Sequence, residues 1–304
     1  MMLSYPSDRL AERIALRPRV DKLTSVNTTF DHPHDVLRFC EDQPDASLVI
    51  VTSVTGGAMR SAGAMMAVSA GRVAGYISNG CVDADIIMRA RRGDAGRFVY
   101  GEGSPFRDIV LPCGGRIEVH IWSNPDQDLI SHAVSALNRR ESFTFILNDN
   151  FQTVLKPKIR FRIAGRGDAL MSLYRLATIS GLDVVIQSPD EFDGDYMPLV
   201  DPSNVPEIDD DARTAVILLF HDHDWEPEIL KQAVEGTAFF VGAMGSVRTH
   251  ALRCDRLAAL GVSGELIEAI RGPIGLLPAM RDANLLAVSI LAEVLQVAQS
   301  EGML

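Results

Sequence analysis

From Ile159 onward the chain alternates strand-like and helix-like stretches, and this alternation limits its fold more than any other feature. FRIAGRGDALMSLYRLATISGLDVVIQSPD, Phe161 to Asp190, reads as strand, glycine turn, helix and strand. TAVILLFHD continues with a third strand, PEILKQAVEG with a helix, AFFVGAMG with a strand and THALRCDRLAALG with a helix. A long helix over about Asp282 to Gln299 closes the chain, and its nearly all-round apolar character predicts that it is largely buried. Strand and helix in this order predict a parallel sheet covered by helices.

The first half is patterned differently. HDVLRFCED predicts a short helix. SLVIVTSV, AGAMMAVS, RVAGYIS and RIEVHIW predict strands, with a hairpin through Ala70-Gly71. DLISHAVSALNRR predicts a helix, and FTFILND and QTVLKPK predict two more strand-like runs before a boundary near residue 158. The fold class expected is therefore α/β. A small mixed α+β domain over 33–157 precedes a Rossmann-like parallel-sheet domain over 158–304, with residues 1–32 as a weakly patterned extension.

At 304 residues the chain is long enough for two ordinary domains. Its net charge of −11 argues against a nucleic-acid partner, since binding phosphate backbones requires clustered Lys and Arg. No apolar run is expected to span a bilayer, and no secretory leader is read at the start, so the expectation is no membrane and a cytoplasmic location. There the four cysteines, Cys40, Cys81, Cys113 and Cys254, should be reduced. None lies in a CxxC pair, so no zinc site is expected. Cys40 and Cys254 sit in helical patterns and read as packing residues.

Cys81 and Cys113 stand apart because both lie in glycine-rich turns. SNGCVD places Cys81 in the first turn of a helix, which carries Val82, Ile86 and Ala90 on one side and stops at Gly93. PCGGRIEV places Cys113 just before Gly114, Gly115 and a strand. A helix N-terminus favours thiolate, while Asp83 and Asp85, both read into the first turn, oppose it. Glycines beside each thiol leave the backbone open to a ligand. A thiolate suits a soft metal or sulfur transfer. The alternative for Cys81 is a buried filler.

In the second half Gly165 and Gly167 occupy the first two glycine positions of a dinucleotide turn, and Asp190 stands where a ribose-binding carboxylate would be. The third glycine position is Leu170, and Asp168 enters the first helical turn, so the turn departs from a nucleotide fingerprint. The glycines would equally serve a tight turn and close helix–strand packing. GAMGSVRTH, with Gly242, Gly245, Ser246 and Arg248, offers backbone N–H groups at a strand end for a phosphate or polar heterocycle. HDHD, His221 to Asp224, reads as either a solvated loop or half of a two-His metal site with both imidazoles on one side.

With these residues in view, the chain resembles the XdhC/CoxI family, accessory proteins of xanthine dehydrogenase and carbon monoxide dehydrogenase. GRVAGYISNGCVDADI is similar to the family's G-R-x-x-G-S-x-S-G-G-C-V-E, and PCGGRIEV to A-C-G-G-x-I-E-V. The Gly165 turn resembles G-A-G-H-V-A. FFVGAMGSVRTHALR resembles Y-V-G-A-L-G-S-R-R-T-H-x-x-R, RGPIGLLPAM resembles H-x-P-I-G-L-D-I-G-A, and AVSILAEVL matches the terminal helix. Asn79, Asp168 and the pair Leu277-Pro278 depart from these patterns.

The resemblance implies a non-enzymatic carrier that binds molybdenum cofactor (molybdopterin). It would assist the cofactor's sulfuration by a cysteine desulfurase and deliver it to a molybdenum hydroxylase client, and a homodimer is implied. Cys81 and Cys113, with Gly80, Gly114 and Gly115, become the implied cofactor contacts and are expected to converge on one cleft. Gly165, Gly167, Asp190, Gly242, Gly245, Ser246 and Arg248 would flank the pterin or its phosphate. Two other classes compete. An NAD(P)-dependent oxidoreductase would need the glycine fingerprint that Leu170 breaks, so NAD(P) is not expected. A scaffold without ligand leaves the glycines at strand ends unexplained.

Overall fold

The structure is a computed structural model that describes residues 31–102, 114–277 and 279–304, without the Cys81 side chain. The described residues form two compact units, one ending at Lys158 and the other covering Ile159–Leu304. Residues 1–30, most of the expected extension, lie outside the described part. Asp31 and His32 belong to the first unit instead: Arg60 pairs with the Asp31 carboxylate, and the His32 ring accepts the His34 N–H at the start of a helix.

The first unit runs α1 (Pro33–Asp42), β1 (Ser47–Thr55), β2 (Met65–Val68), β3 (Val73–Gly75), α2 (Cys81–Arg92), β4 (Gly96–Gly101), β5 (Arg116–Trp122), α3 (Gln127–Asn138), β6 (Phe143–Asn148) and β7 (Phe151–Leu155). Five strands form one antiparallel sheet in the order β3-β2-β1-β5-β4. The expected β2–β3 hairpin is present, with Val68 opposite Val73.

Strand β1 explains how the unit packs. Leu48 and Ile50 point to a core shared with Val36 and Leu37 of α1, Ile130 and Ala133 of α3, and Phe145 of β6. Val49 and Val51 point to the opposite core with Val82 and Ile86 of α2 and Val119 of β5. Both faces of the sheet are thus covered, and the period-two alternation of strand side chains fills both. Strand β4, GRFVYG, was not expected. Glycine at each end hides its alternation, yet Tyr100 is fully buried and donates its hydroxyl to Asp85 Oδ2 at 2.8 Å. The expected run QTVLKPK ends as strand at Leu155.

The second unit runs β8 (Arg160–Gly165), α4 (Gly167–Ile179), β9 (Asp183–Ser188), β10 (Met197–Pro198), β11 (Thr214–Leu219), α5 (Glu226–Glu235), β12 (Phe240–Ala243), α6 (Val247–Ala259), α7 (Gly264–Glu268) and α8 (Ala283–Ser300). Its five strands are all parallel, in the order β10-β9-β8-β11-β12. This is the Rossmann-like sheet expected. The chain builds outward from β8, then returns to its other side at β11, so the strand order reverses between β8 and β11. Val216 and Leu218 pack with α5, α6 and α7; Ala215, Ile217 and Leu219 pack with α4 and α8.

Helix α8 corrects two expectations. It is long and apolar enough to cross a membrane by length and composition, contrary to the reading that no run approaches that length. Only 28% of its residues are buried, where a largely buried helix was expected. Ala287, Ile290, Val294 and Ala298 enter the core, while Leu285 and Val288 stay exposed. An all-round apolar helix does not reveal which face its fold will bury. Its polar residues have definite work: Ser289 Oγ accepts the Leu277 N–H at 2.7 Å, and Glu293 Oε2 accepts the Gly275 N–H at 2.6 Å. They pin the RGPIGL segment to the helix.

A buried ion pair lies inside the second unit. Arg162 on β8 is fully buried and donates to Asp210 at 2.5 Å, Gln187 at 2.8 Å and Gln232 at 3.4 Å. Burial draws the guanidinium below its usual range and pushes the Asp210 carboxyl up, each against the pull of its partner. Removing one member leaves the other charge stranded in the core. Asp210→Ala is expected to cost about 3 kcal/mol or more in urea unfolding. The double variant Arg162→Met/Asp210→Ala should recover much of that loss.

Candidate functional site

Antiparallel pairing decides which turns of the first unit lie together. Thr55, at the end of β1, stands opposite Arg116, at the start of β5, and Arg116 stands opposite Gly101, at the end of β4. Strand β3 runs in the same direction as β1, because both are antiparallel to β2. The turns at Gly56-Gly57, Gly101-Glu102 and Gly114-Gly115 therefore leave the same end of the sheet, whereas β3 heads the same way but stops at Gly75, level with Val49 of β1. Gly114 and Gly115 lie at that end, and Gly80 opens α2 after β3. Cys113 lies outside the described residues, as does the side chain of Cys81.

Gly56 and Gly57 were missed from sequence, although a T-G-G triplet after a strand was there to be read. A Cβ on Gly115 would lie 2.1 Å from the Gly57 carbonyl oxygen, so the two turns touch through their backbones. Gly56 and Gly114 adopt φ of 73° and 65°, where glycine alone is unstrained. A Cβ on Gly114 would meet open space. A cavity of about 360 Å³ opens here, lined by Thr55, Gly56, Glu102, Gly114 and Arg116. Beyond it Glu118 accepts from Arg97 at 2.6 and 2.8 Å and from Arg116 at 2.6 Å, and these two guanidinium groups hold its carboxyl down at about 2.

The segment before α2 is held by Asp83. Its Oδ1 accepts the N–H of Ile77 at 3.2 Å, the N–H of Ser78 at 2.7 Å and the Ser78 hydroxyl at 3.2 Å; its Oδ2 accepts the N–H of Asn79 at 2.7 Å. Asp85 was read into the first helical turn but lies one turn on, paired with Arg89 at 2.6 Å and hydrogen-bonded by Tyr100. Both carboxylates that opposed a thiolate on charge grounds are thus engaged elsewhere. Asn79 sits at φ 58°, which explains this departure from a glycine: asparagine tolerates the left-handed region better than other side chains do. Gly80 is the N-cap and brings no side-chain hydrogen bond, and a Cβ there would meet nothing within 4 Å.

In the second unit the expected residues separate by role. A Cβ on Gly165 would stand 2.5 Å from the Leu219 carbonyl oxygen, so this glycine allows β8 and β11 to pack. Gly167 opens α4 at φ 73° with open space beside it. Asp190 Oδ2 lies 3.7 Å from Arg166 Nε, so the carboxylate proposed for a ribose already faces a cation. Leu170 is buried at the third glycine position.

Gly242 packs under Ile274 and Phe240, and Gly245 lies against Thr249 at φ 148°. Ser246 caps α6, its hydroxyl accepting the Thr249 N–H at 3.1 Å, so its side chain is committed to the helix. Arg248 is exposed and lines a cavity of about 290 Å³ with His223, Arg253 and Arg256. Arg253 is already bound by the buried Glu226 through two hydrogen bonds of 2.9 Å.

The HDHD segment is a turn and not an extended stretch. His223 Nδ1 lies 3.1 Å from Glu226 Oε1, and among the described residues no group of three or more His, Cys, Asp or Glu could hold a metal. The two helical cysteines behave as packing residues. Burial pushes the Cys40 thiol up to about 12, and Cys254 packs against the core with its sulfur 3.7 Å from His250 Nε2. Burial, then the Arg253 charge, lower the His250 imidazole against the pull of Glu226.

Residues 161–294 match the family description "XdhC Rossmann domain", and residues 40–100 match "XdhC and CoxI family". A molybdenum cofactor insertion chaperone of Escherichia coli, PaoD, is 34% identical over 297 residues, covering 88% of this chain and 89% of its own. A crystal structure of a xanthine dehydrogenase from Bacillus halodurans superposes with a TM-score of 0.70 at 19% identity. That likeness covers 88% of this chain and 96% of the other, and it bears on the fold.

Two expectations follow from this geometry. Gly115→Ala drives a β-carbon into a backbone carbonyl and should cost about 3 kcal/mol, whereas Gly80→Ala should cost about 1 kcal/mol or less; paired urea titrations distinguish them. Glu118 titrates lower folded than unfolded, so its stabilising effect is full above the ordinary glutamate range and is lost as pH falls towards 2. Glu118→Gln should flatten the acid limb of stability over that window.

Proposed function

Because the chain belongs to the XdhC and CoxI family, we propose that it is an accessory protein that carries molybdenum cofactor and inserts it into a client enzyme. The observation that supports this reading is the backbone contact between the Gly56-Gly57 and Gly114-Gly115 turns beside an open cavity at one end of the first-unit sheet. Cys113 precedes Gly114 in sequence, and Cys81 follows Gly80, the glycine that opens α2. The cargo offers a dithiolene, a molybdenum centre and a phosphate. Soft thiols suit the first two, and unobstructed backbone N–H groups suit the third. Cys81, Cys113, Gly80, Gly114 and Gly115 are the residues proposed to hold it. The name of the 34% identical relative, a molybdenum cofactor insertion chaperone, supports the same role.

Three finer parts of the proposal rest on the family resemblance. The client is a molybdenum hydroxylase such as xanthine dehydrogenase. A cysteine desulfurase supplies sulfur to the bound cofactor. The carrier works in the cytoplasm as a homodimer. The competing NAD(P)-dependent oxidoreductase is disfavoured by two features of the second unit. Leu170 fills the third glycine position, and Arg166 lies across from the carboxylate a ribose would need.

The test is co-purification from a molybdenum-replete host, with the released pterin oxidised and identified by fluorescence. About one cofactor per protomer is expected. Cys81→Ala and Gly80→Ala should each lower retention while the unfolding midpoint stays near that of the parent. Retention by Cys81→Ala at the parent's level would remove the cysteine from the site. NADH titration should give no saturable fluorescence change; a clean binding isotherm would favour the oxidoreductase.

A further inference from the structure

Asp83 does something unusual for the third residue of a helix. An acidic residue at this position commonly reaches back to the N–H of the N-cap, while a Ser or Thr at the N-cap satisfies the helix in return. Here the N-cap is Gly80, which has no side chain to reciprocate. The Asp83 carboxylate reaches past it to the three preceding residues, Ile77, Ser78 and Asn79. The Ser78 hydroxyl provides a fourth hydrogen bond to the same carboxylate. Asp83 is buried, so these charge-assisted bonds are shielded from water.

The segment has little else to hold it. Strand β3 ends at Gly75, and helix α2 begins at Cys81, leaving five residues between them. Ile77 is fully buried and anchors one point. Asn79 is held in the left-handed region at φ 58°, a conformation that needs support from its surroundings. Arg60 lies 4.9 Å from the centre of the Tyr76 ring. Ser78 and Asn79 take their backbone anchorage from the carboxylate. The result is a turn fixed from behind, with the first N–H groups of α2 given no side-chain cap in front.

We propose that Asp83 is a positioning residue: its carboxylate holds the Ile77–Gly80 turn in the conformation that receives the cofactor beside Cys81. This rests on the cofactor-carrier reading above. The residue acts through the turn and is not itself a cofactor contact. Without the carboxylate the turn samples many conformations, and cofactor binding must then supply the cost of ordering it.

The test compares Asp83→Asn, Asp83→Ala and Asp83→Glu in the full chain by two measurements. Amide hydrogen exchange should rise about tenfold or more at Ile77, Ser78 and Asn79 in the Asn and Ala variants, while β1 and β5 keep their protection. Cofactor retained after co-purification, read as oxidised pterin, should fall about tenfold in the same two variants. Asp83→Glu keeps both carboxylate oxygens and should restore much of both. It also keeps the test decisive if the alanine variant fails to fold. Released amides with undiminished cofactor would overturn the proposal, and so would amides that stay protected without the carboxylate. A parent chain that holds no cofactor would defeat the carrier reading instead, a result that the variants do not produce.

Discussion

Strands β1 and β11 are each buried on both faces, and this constraint sets the positions of the other elements. A strand with apolar side chains in both directions cannot leave either face to water. In the first unit it forces α1 and α3 to one side of β1 and α2 to the other. In the second it does the same with α4 and α8 against α5, α6 and α7. The turns that follow such strands leave the sheet between its two covering layers. Gly56-Gly57 follows β1, and the HDHD turn follows β11. Ligand edges in folds of this kind arise from the layering before any functional residue is chosen.

Much of this was legible from residue order. The alternation after Ile159 implied the parallel sheet, and Val82, Ile86 and Ala90 implied the buried side of α2, all three of which are in the core. Gly93 ends that helix at φ 82°, as a glycine past a helical run implies. The failures have physical causes. Strand β4 carries glycine at both ends, which weakens any propensity reading. Strand β10 is two residues long and exists through pairing with β9. Helix α8 has apolar residues all round, and only the neighbours present in the fold decide that Leu285 remains outside.

The candidate site was legible as a set of turns and illegible as an arrangement. SNGC and PCGG were visible as glycine-flanked cysteines, and pairing of β1 with β5 is needed to see that Gly57 meets Gly115. Asp83 looked like an acid opposing the thiol on its own helix. Its carboxylate reaches past the N-cap to Ile77, Ser78 and Asn79, which spacing does not reveal, because the acceptor distances depend on the path of the chain before the helix. Among the glycines, Gly165, Gly242 and Gly115 are explained by neighbours a β-carbon would strike, whereas Gly80 has no such neighbour.

One contact in the second unit joins segments far apart in sequence. A β-carbon on Gly272 would fall 2.1 Å from His250 Nδ1, so the imidazole occupies the space that any larger residue at 272 would need. The ring has to shrink or turn away for the glycine to be replaced, so the two positions are coupled through the space they share.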